Sequence, residues 1–344
     1  MDWARENLRG QWSTLMTPFT QDNQINESGI RSDIKHIKAL GTKGIGCTWG
    51  MGEFWSLTEQ ERLKVYDVVA DEGRDDWLIA AHITDTSLKN VNHFASYAES
   101  IGFDLLILAA PYFVTRKEEQ VLEFVKSVAD NTNLAIMFYN SPQFGIVLDE
   151  NWLGKVCQIS NVVGVKEASF NKDISINTHL NVGSDAIIST PDEWILFAGD
   201  EMGFQQQVMF ANTSDWRFDT KGNNNYVNFV DNALKGNLNK EFYDNRIKPI
   251  KAVSDKWWMK TVQKNNGVLP VALCKYWGEL MGMAGGSPRL PLFDLNVDEK
   301  KQFVTGISGK YGLETTEEIY DMCTAEPYSF LYYDALKNEF LLSI

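Results

Sequence analysis

The sequence predicts a (β/α)₈ barrel followed by a helical C-terminal region, and two observations carry this prediction. Short apolar runs typical of buried parallel strands alternate with stretches of helical spacing over residues 11–222. After a polar break near residue 222, only helical patterns follow over residues 223–344. A doubly wound open sheet is the competing architecture, but no GxGxxG turn follows the first strand.

Each element in this pattern has its own signal. Strands are predicted where apolar runs lie between turn residues, at 11–16, 44–49, 77–83, 104–110, 134–139, 162–166, 186–189 and 207–210. Amphipathic spacing predicts barrel helices that include 28–40, 58–71, 88–101, 117–131 and 150–158. Thr58 and Glu61 form a capping-box pattern, and Asp149 is a predicted N-cap. In the C-terminal region, helices are predicted at 226–234, 240–264, 270–283, 296–306 and 315–325.

Composition limits the classes of partner. The net charge of −14 disfavours nucleic acid and anionic membranes, because both require a basic surface. The four cysteines have no disulfide-type or CxxC spacing, and the four histidines show no ligand spacing, so no metal is expected. The N-terminus lacks a signal-peptide pattern, and no apolar stretch of the sequence is long enough to span a membrane. These features predict a cytoplasmic protein.

Lys166 is the leading candidate for chemistry. It ends the apolar run at residues 162–166, where burial would disfavour the charged amine and lower its pKa. A neutral amine near pH 7 can attack a carbonyl carbon and form a Schiff base. The alternative is a side chain that leaves the sheet and extends into solvent.

The remaining candidates follow from the rule that barrel chemistry lies at the C-terminal ends of strands. Tyr139 ends the fifth strand and could transfer protons, although it could equally be an aromatic plug. Gly50, Met51 and Gly52 form a turn whose backbone amides could hold a carboxylate, or one that simply needs glycine. Other predicted pocket residues at strand ends are Thr17, Trp49, Tyr112, Phe113, Asp192 and Trp194. The aromatic members could form a wall for a flat or apolar substrate, or pack at a subunit interface.

Several of these segments together resemble the dihydrodipicolinate synthase / N-acetylneuraminate lyase family. They are TPF at 17–19, GMGEFWSLTEQER at 50–62, FYNSP at 138–142, GVKEAS at 164–169 and GMAGGSPRLPL at 282–292. The resemblance covers about residues 11–295. It implies a (β/α)₈ barrel with C-terminal helices, usually in a homotetramer, and class I lyase chemistry on 2-oxo acids. It also implies that Lys166 is the Schiff-base lysine and that Tyr139 is the tyrosine that moves protons.

Three departures from this family's pattern narrow the expected substrate. Gly50 and Met51 stand where the family usually has hydroxyl residues that grip the carboxylate. The synthase has an arginine after the YN.P turn, but residues 143–145 here are Gln-Phe-Gly, which argues against lysine biosynthesis. Phe113 replaces a proton-relay tyrosine. The sequence pattern is more similar to that of the family's sugar-acid dehydratases and hydratase-aldolases than to that of the synthase.

The leading hypothesis is a Schiff-base aldolase or hydratase-aldolase that joins or separates a pyruvate-like 2-oxo acid and an aldehyde, possibly aromatic or apolar. It would need no cofactor, because the imine of Lys166 acts as the electron sink. One alternative is dehydration of a sugar acid through the same lysine. Another is a catalytically inactive barrel that binds a small acid. A homo-oligomer, tetramer or dimer, is expected from the resemblance.

Overall fold

A computed structural model describes residues 1–73, 77–210 and 213–310, with side chains to residue 304. The helix predicted at 315–325 lies outside the described residues. Among the described helices, none has both the length and the apolar character needed to cross a membrane.

All eight predicted strands are present, with ends that differ by one or two residues. They are β1 (Gly10–Thr14), β2 (Gly44–Cys47), β3 (Leu78–His82), β4 (Leu105–Ala109), β5 (Ala135–Asn140), β6 (Val162–Glu167), β7 (Ile187–Ser189) and β8 (Val208–Phe210). β2 ends two residues early because Thr48 has a φ of 53°, which lies outside the range of extended strands.

The strands form one parallel barrel. Pairing runs in the order β7-β6-β5-β4-β3-β2-β1-β8, which is chain order around a ring. Side chains join the two end strands: Gln206 Oε1 accepts from the Thr190 amide at 2.9 Å, and Ser189 Oγ accepts from the Phe210 amide at 2.9 Å. The (β/α)₈ barrel expected from the sequence is thereby confirmed.

Bulky aromatic residues fill the barrel interior. The Trp12 ring lies 5.0 Å from that of Phe210, measured between ring centroids. Gly44 faces the same interior, and a Cβ there would lie 2.7 Å from the Trp12 ring. Because interiors are close-packed, glycine at this position makes room for the indole.

Helices cover the barrel and continue beyond it. They are α1 (Asp2–Asn7), α2 (Glu27–Ala39), α3 (Glu59–Gly73), α4 (Leu88–Ser100), α5 (Glu118–Ala129), α6 (Glu150–Cys157), α7 (Lys172–Val182), α8 (Trp194–Met202), α9 (Ser214–Phe218), α10 (Asn225–Ala233), α11 (Lys240–Phe242), α12 (Lys248–Lys264), α13 (Val271–Leu280) and α14 (Val297–Lys310). The predicted caps are confirmed. Thr58 and Glu61 bond reciprocally at 2.9 and 3.2 Å, and Asp149 accepts from the Trp152 amide at 3.0 Å.

Two helical segments differ from the prediction. α1 was not predicted, because six residues are too short to show a clear apolar period. It packs by tertiary contact instead, with Ala4 and Leu8 fully buried and the Leu8 carbonyl accepting from Gln207. The helix predicted at 240–264 is wrong as a single element: it is interrupted by a π-helical turn at Tyr243–Ile247. α12 restarts with Pro249 in its first turn, where its missing N–H is tolerated.

Candidate active site

Lys166 and Tyr139 lie next to each other on adjacent strands. They are paired in the parallel register of β5 and β6, near the C-terminal ends of both strands. The Nζ atom of Lys166 is 4.8 Å from the centre of the Tyr139 ring. The lysine is only 1% exposed and the tyrosine 6%, so the alternative in which Lys166 extends into solvent is excluded.

Burial changes the ionisation of both groups in useful directions. It lowers the pKa of Lys166 from 10.5 to about 7. It raises the pKa of Tyr139 to about 12, against a smaller opposing effect of a hydrogen bond from Ser141. Near neutral pH, a substantial share of the amine is therefore an unprotonated nucleophile, while the phenol keeps its proton.

Trp49 packs against the side chain of Lys166. Its ring lies 4.1 Å from Lys166 Nζ and 5.8 Å from the Phe210 ring. A Cβ at Gly46 would lie 1.9 Å from the indole, so the glycine is required for this position. The sequence placed Trp49 among the strand ends that form the mouth. The structure turns its side chain inward, into the barrel.

The turn predicted to hold a carboxylate is a short 3₁₀ helix, Gly50–Gly52. The Gly52 and Glu53 amides are used within the turn, by bonds of 2.9 and 3.1 Å to carbonyls. The amides of Gly50 and Met51 begin the turn, where helix geometry supplies no internal partner. They are therefore the two donors that the turn can offer to an anion. The Thr17 hydroxyl donates to the Gly52 carbonyl at 2.7 Å, so it supports the turn.

Aromatic residues cover the mouth of the barrel. Phe54 lies 6.0 Å from Phe144 and 5.8 Å from Tyr112, between ring centroids, and Phe144 lies 5.2 Å from Tyr139. Phe113 differs, because it is 67% exposed and has a φ of 54°. Phe54, Phe144 and Tyr112 thus form an aromatic cluster next to Tyr139, while Phe113 extends toward solvent.

Asp192 and Trp194 belong to a second cluster, centred on Lys251. Lys251 Nζ lies 3.5 Å from both Asp192 and Glu193. Burial, followed by the charge of Glu193, raises the pKa of Asp192 to about 7. The Trp194 ring faces Lys172 Nζ at 5.1 Å. In the described part of the chain, the contacts of these two residues therefore lead to Lys251 and Lys172, and not to Lys166.

His82 was not among the predicted site residues, yet its ring contacts the site. It is fully buried at the end of β3, 6.4 Å from the Tyr139 ring and 4.7 Å from that of Phe54. The period of two along β3 could have found it, because Ala80 and His82 share the inward face. Elsewhere among the described residues, no cluster of three His, Cys, Asp or Glu side chains has metal-binding geometry.

Comparisons with known sequences identify a family for this chain. The profile of the Dihydrodipicolinate synthetase family matches residues 7–310. A 4-hydroxy-tetrahydrodipicolinate synthase of Methanopyrus kandleri is 30% identical over 57% of this chain and 64% of its own length, so the match spans less than two thirds of that relative. A synthase of Halalkalibacterium halodurans is 23% identical over 88% of this chain and 97% of its own length.

Solved structures show the same fold. N-acetylneuraminate lyase of Proteus mirabilis has a TM-score of 0.72 at 21% identity, covering 87% of this chain and 97% of the lyase. An E. coli prophage protein of the dihydrodipicolinic acid synthase family, crystallised with pyruvate, has a TM-score of 0.74 at 18% identity, covering 92% and 99%. Since the family profile spans most of the chain, this protein belongs to the dihydrodipicolinate synthetase family.

Proposed function

We propose that this protein is a Schiff-base lyase that makes or breaks a carbon–carbon bond between a pyruvate-like 2-oxo acid and an aldehyde. The observation that supports it most is the buried amine of Lys166, whose pKa lies near 7 and which lies beside Tyr139. An uncharged amine inside a barrel mouth, next to a protonated phenol, is the pairing that imine chemistry on a ketone requires.

The steps follow from these two groups. The Lys166 amine attacks the ketone carbon, and the C–N bond forms as the carbonyl π electrons move to oxygen. Tyr139 relays one of the two amine protons to that oxygen and then donates its own proton, so that the oxygen leaves as water. An iminium on the lysine nitrogen and a tyrosinate remain. The tyrosinate takes a C3 proton, which gives an enamine, and the enamine carbon attacks the aldehyde carbon while the aldehyde oxygen takes up that proton. Water then adds to the iminium carbon, and the C–N bond to Lys166 breaks to release the product. Cleavage of an aldol runs the same steps in reverse.

The 2-oxo acid's carboxylate would bind at the turn Gly50–Gly52. The amides of Gly50 and Met51 supply two donors there without any hydroxyl side chain. A Cβ at position 50 would lie 2.8 Å from Leu269 Cδ1, so a side chain there would require that methyl group to move. The donor set of this chain would therefore consist of backbone groups.

The aldehyde would enter past the aromatic residues at the mouth. Phe54, Phe144 and Tyr112 supply a wall suited to an apolar or aromatic aldehyde. Gln143 follows the turn after β5, and its Nε2 donates to the Gly267 carbonyl at 3.1 Å. Because Gln143 carries no positive charge, this position offers no ion pair to an anionic aldehyde.

The homo-oligomeric state and the cytoplasmic location, which the sequence analysis predicts, also remain proposals.

Borohydride trapping tests the lysine chemistry. The protein is incubated with pyruvate, reduced, digested and mapped by mass spectrometry. We expect the reduced adduct on Lys166 and on no other lysine. Absence of an adduct with pyruvate and with a panel of other 2-oxo acids would overturn the proposal. Consumption of a sugar acid without aldehyde release would instead support the dehydratase, and saturable binding without product would support a binding protein.

The pH dependence of imine formation should reflect the pKa of Lys166. Below about pH 7 the neutral amine falls tenfold per pH unit, so the rate of trapping should rise up to about pH 7 and level off near pH 8. Stopped-flow or quenched trapping between pH 5 and 9 measures this profile. An amine with an ordinary pKa near 10.5 would instead give a rate that still climbs at pH 9.

Replacement of Tyr139 by phenylalanine should slow catalysis without removing the ring. The ring keeps its contacts with Phe144 and Lys166. The phenol hydroxyl, which donates the proton in the proposed reaction, is lost. We expect kcat to fall about 10²-fold, the lower end for loss of a general acid. Steady-state kinetics, with thermal unfolding as the control for folding, measures the effect. An unchanged kcat would assign the proton transfer to another group.

A further inference from the structure

The imidazole of His82 packs beside the rings of Tyr139 and Phe144, close to Lys166. Its ring centroid lies 6.4 Å from that of Tyr139 and 5.8 Å from that of Phe144. It is fully buried. Burial, followed by the charges of Arg62 and Lys166, holds its pKa well below the ordinary value, so the ring is neutral.

The hydrogen bond at Nδ1 determines which nitrogen carries the proton. Nδ1 lies 2.9 Å from the carbonyl oxygen of Thr48. A carbonyl oxygen can only accept, so Nδ1 must donate and carries the hydrogen. In a neutral ring, Nε2 is then a hydrogen-bond acceptor with a free lone pair.

The His82 backbone is held in place from outside the barrel. Its carbonyl accepts a hydrogen bond from Tyr66 at 2.6 Å and another from the Arg62 guanidinium. Arg62 also donates to the Thr84 carbonyl at 3.0 Å. The direction of the imidazole is thus fixed by a bond at the ring and by bonds at the main chain.

Nε2 itself has no hydrogen-bond partner among the described residues, although it is buried. A buried acceptor without a partner costs about 1–3 kcal/mol, and most buried polar atoms in native proteins are satisfied. The bonds at Nδ1 and at the main chain account for the ring's orientation, but they leave this lone pair among aromatic rings without a donor. A hydrogen-bond donor on a substrate bound beside Tyr139 would satisfy it.

We propose that His82 Nε2 accepts a hydrogen bond from a hydroxyl group on the aldehyde partner, next to the reacting carbonyl. This inference rests on the proposed lyase function and names its substrate class. The aldehyde would be hydroxylated and uncharged at that position, because a lone pair repels the oxygens of a carboxylate or phosphate. His82 would act in substrate specificity, while Lys166 and Tyr139 carry out the bond changes.

Matched aldehydes test the proposal with the native protein. Condensation with pyruvate is measured for glycolaldehyde against acetaldehyde, and for 2-hydroxybenzaldehyde against benzaldehyde and 2-methoxybenzaldehyde. We expect kcat/KM to be about 10- to 100-fold higher for the hydroxylated aldehyde, in whichever pair the enzyme accepts as substrates. A ratio of this size corresponds to the cost of leaving one buried acceptor unpaired. Equal kcat/KM values in both pairs would overturn the proposal.

Two variants assign the preference to Nε2. In His82→Asn the side-chain amide can still donate to the Thr48 carbonyl, but no atom reaches the place of Nε2. His82→Gln puts an amide, and so an acceptor oxygen, near that place. We expect the hydroxyl preference to fall to within about threefold in the Asn variant and to be partly kept in the Gln variant.

The control is His179→Asn, which removes a buried imidazole stacked on Phe204, outside the site. It should keep the hydroxyl preference. A full preference in a folded His82→Asn protein would overturn the proposal. If both His82 variants fail to fold, the native comparison decides. Failure of native trapping by pyruvate would contradict the lyase function itself, whereas trapping without hydroxyl preference would contradict only the role of His82.

Discussion

Replacement of Lys166 by methionine should abolish trapping and turnover while making the protein more stable at pH 6. The Lys166 amine is the protein group that attacks the ketone in the proposed reaction, so we expect activity to fall by at least about 10⁴-fold. Methionine has a similar length and no charge, so it can fill the space between the Trp49 and Tyr139 rings without a desolvation cost. Loss of activity with a gain in stability would identify a lysine kept for chemistry.

The gain in stability has a definite pH dependence. The folded protein holds Lys166 at a pKa of about 7, against 10.5 in the unfolded chain. Between these values the unfolded chain binds more protons, so native stability rises with pH, and the cost of the buried lysine is greatest below about pH 7. At about 1.4 kcal/mol per pKa unit, removal of that cost is worth roughly 3–5 kcal/mol at pH 6 and much less near pH 10.

Urea unfolding of both proteins at pH 6 and pH 9 measures this difference. The matched control is Lys275→Met, because Lys275 is just as buried but lies 2.5 Å from Glu53. That substitution leaves a buried carboxylate without its partner and should destabilise the protein. If Lys166→Met were less stable than the native protein at pH 6, or if the difference did not change with pH, the depressed pKa of Lys166 would be contradicted.

The sequence was sufficient for the barrel because each β strand carries its own signal. β4 is apolar throughout and β6 is apolar up to Lys166, as expected for strands covered on both faces. The ends were less predictable. The early end of β2 depends on the left-handed conformation of Thr48, which no apolar pattern reports. The short α1 is held by tertiary burial, and that burial has no local signature.

For the site, the rule about strand ends placed Lys166 and Tyr139 together, because parallel register pairs them directly. It could not orient Trp49, since the inward turn of the indole depends on the missing side chain of Gly46. The sequence also could not show that Nε2 of His82 is the unprotonated nitrogen, because this depends on the Thr48 carbonyl, which another loop contributes. The pairing of Glu53 with Lys275 joins residues 222 positions apart (275 − 53), and no local pattern contains it.

That pairing supports the second large prediction, which concerns Glu53→Gln. Glu53 and Lys275 both have fully buried side chains, and the Glu53 carboxylate also accepts from the Arg289 amide at 2.9 Å. Removal of one member of a buried ion pair leaves the other charge unpaired, so we expect a loss of about 3–5 kcal/mol in the free energy of unfolding. Because Glu53 directly follows the turn Gly50–Gly52, the KM for pyruvate should rise as well.

A double-mutant cycle separates the pair from its surroundings. Glu53→Gln, Lys275→Met and the combination of both are compared by urea unfolding and by trapping with pyruvate. We expect the double variant to be more stable than either single variant, because no unpaired charge remains in the core. It should still bind pyruvate less well than the native protein, since Glu53 also holds the Arg289 amide and thereby fixes the end of the turn. Additive losses would show instead that the two side chains act independently, with the turn held by its own hydrogen bonds and by Thr17.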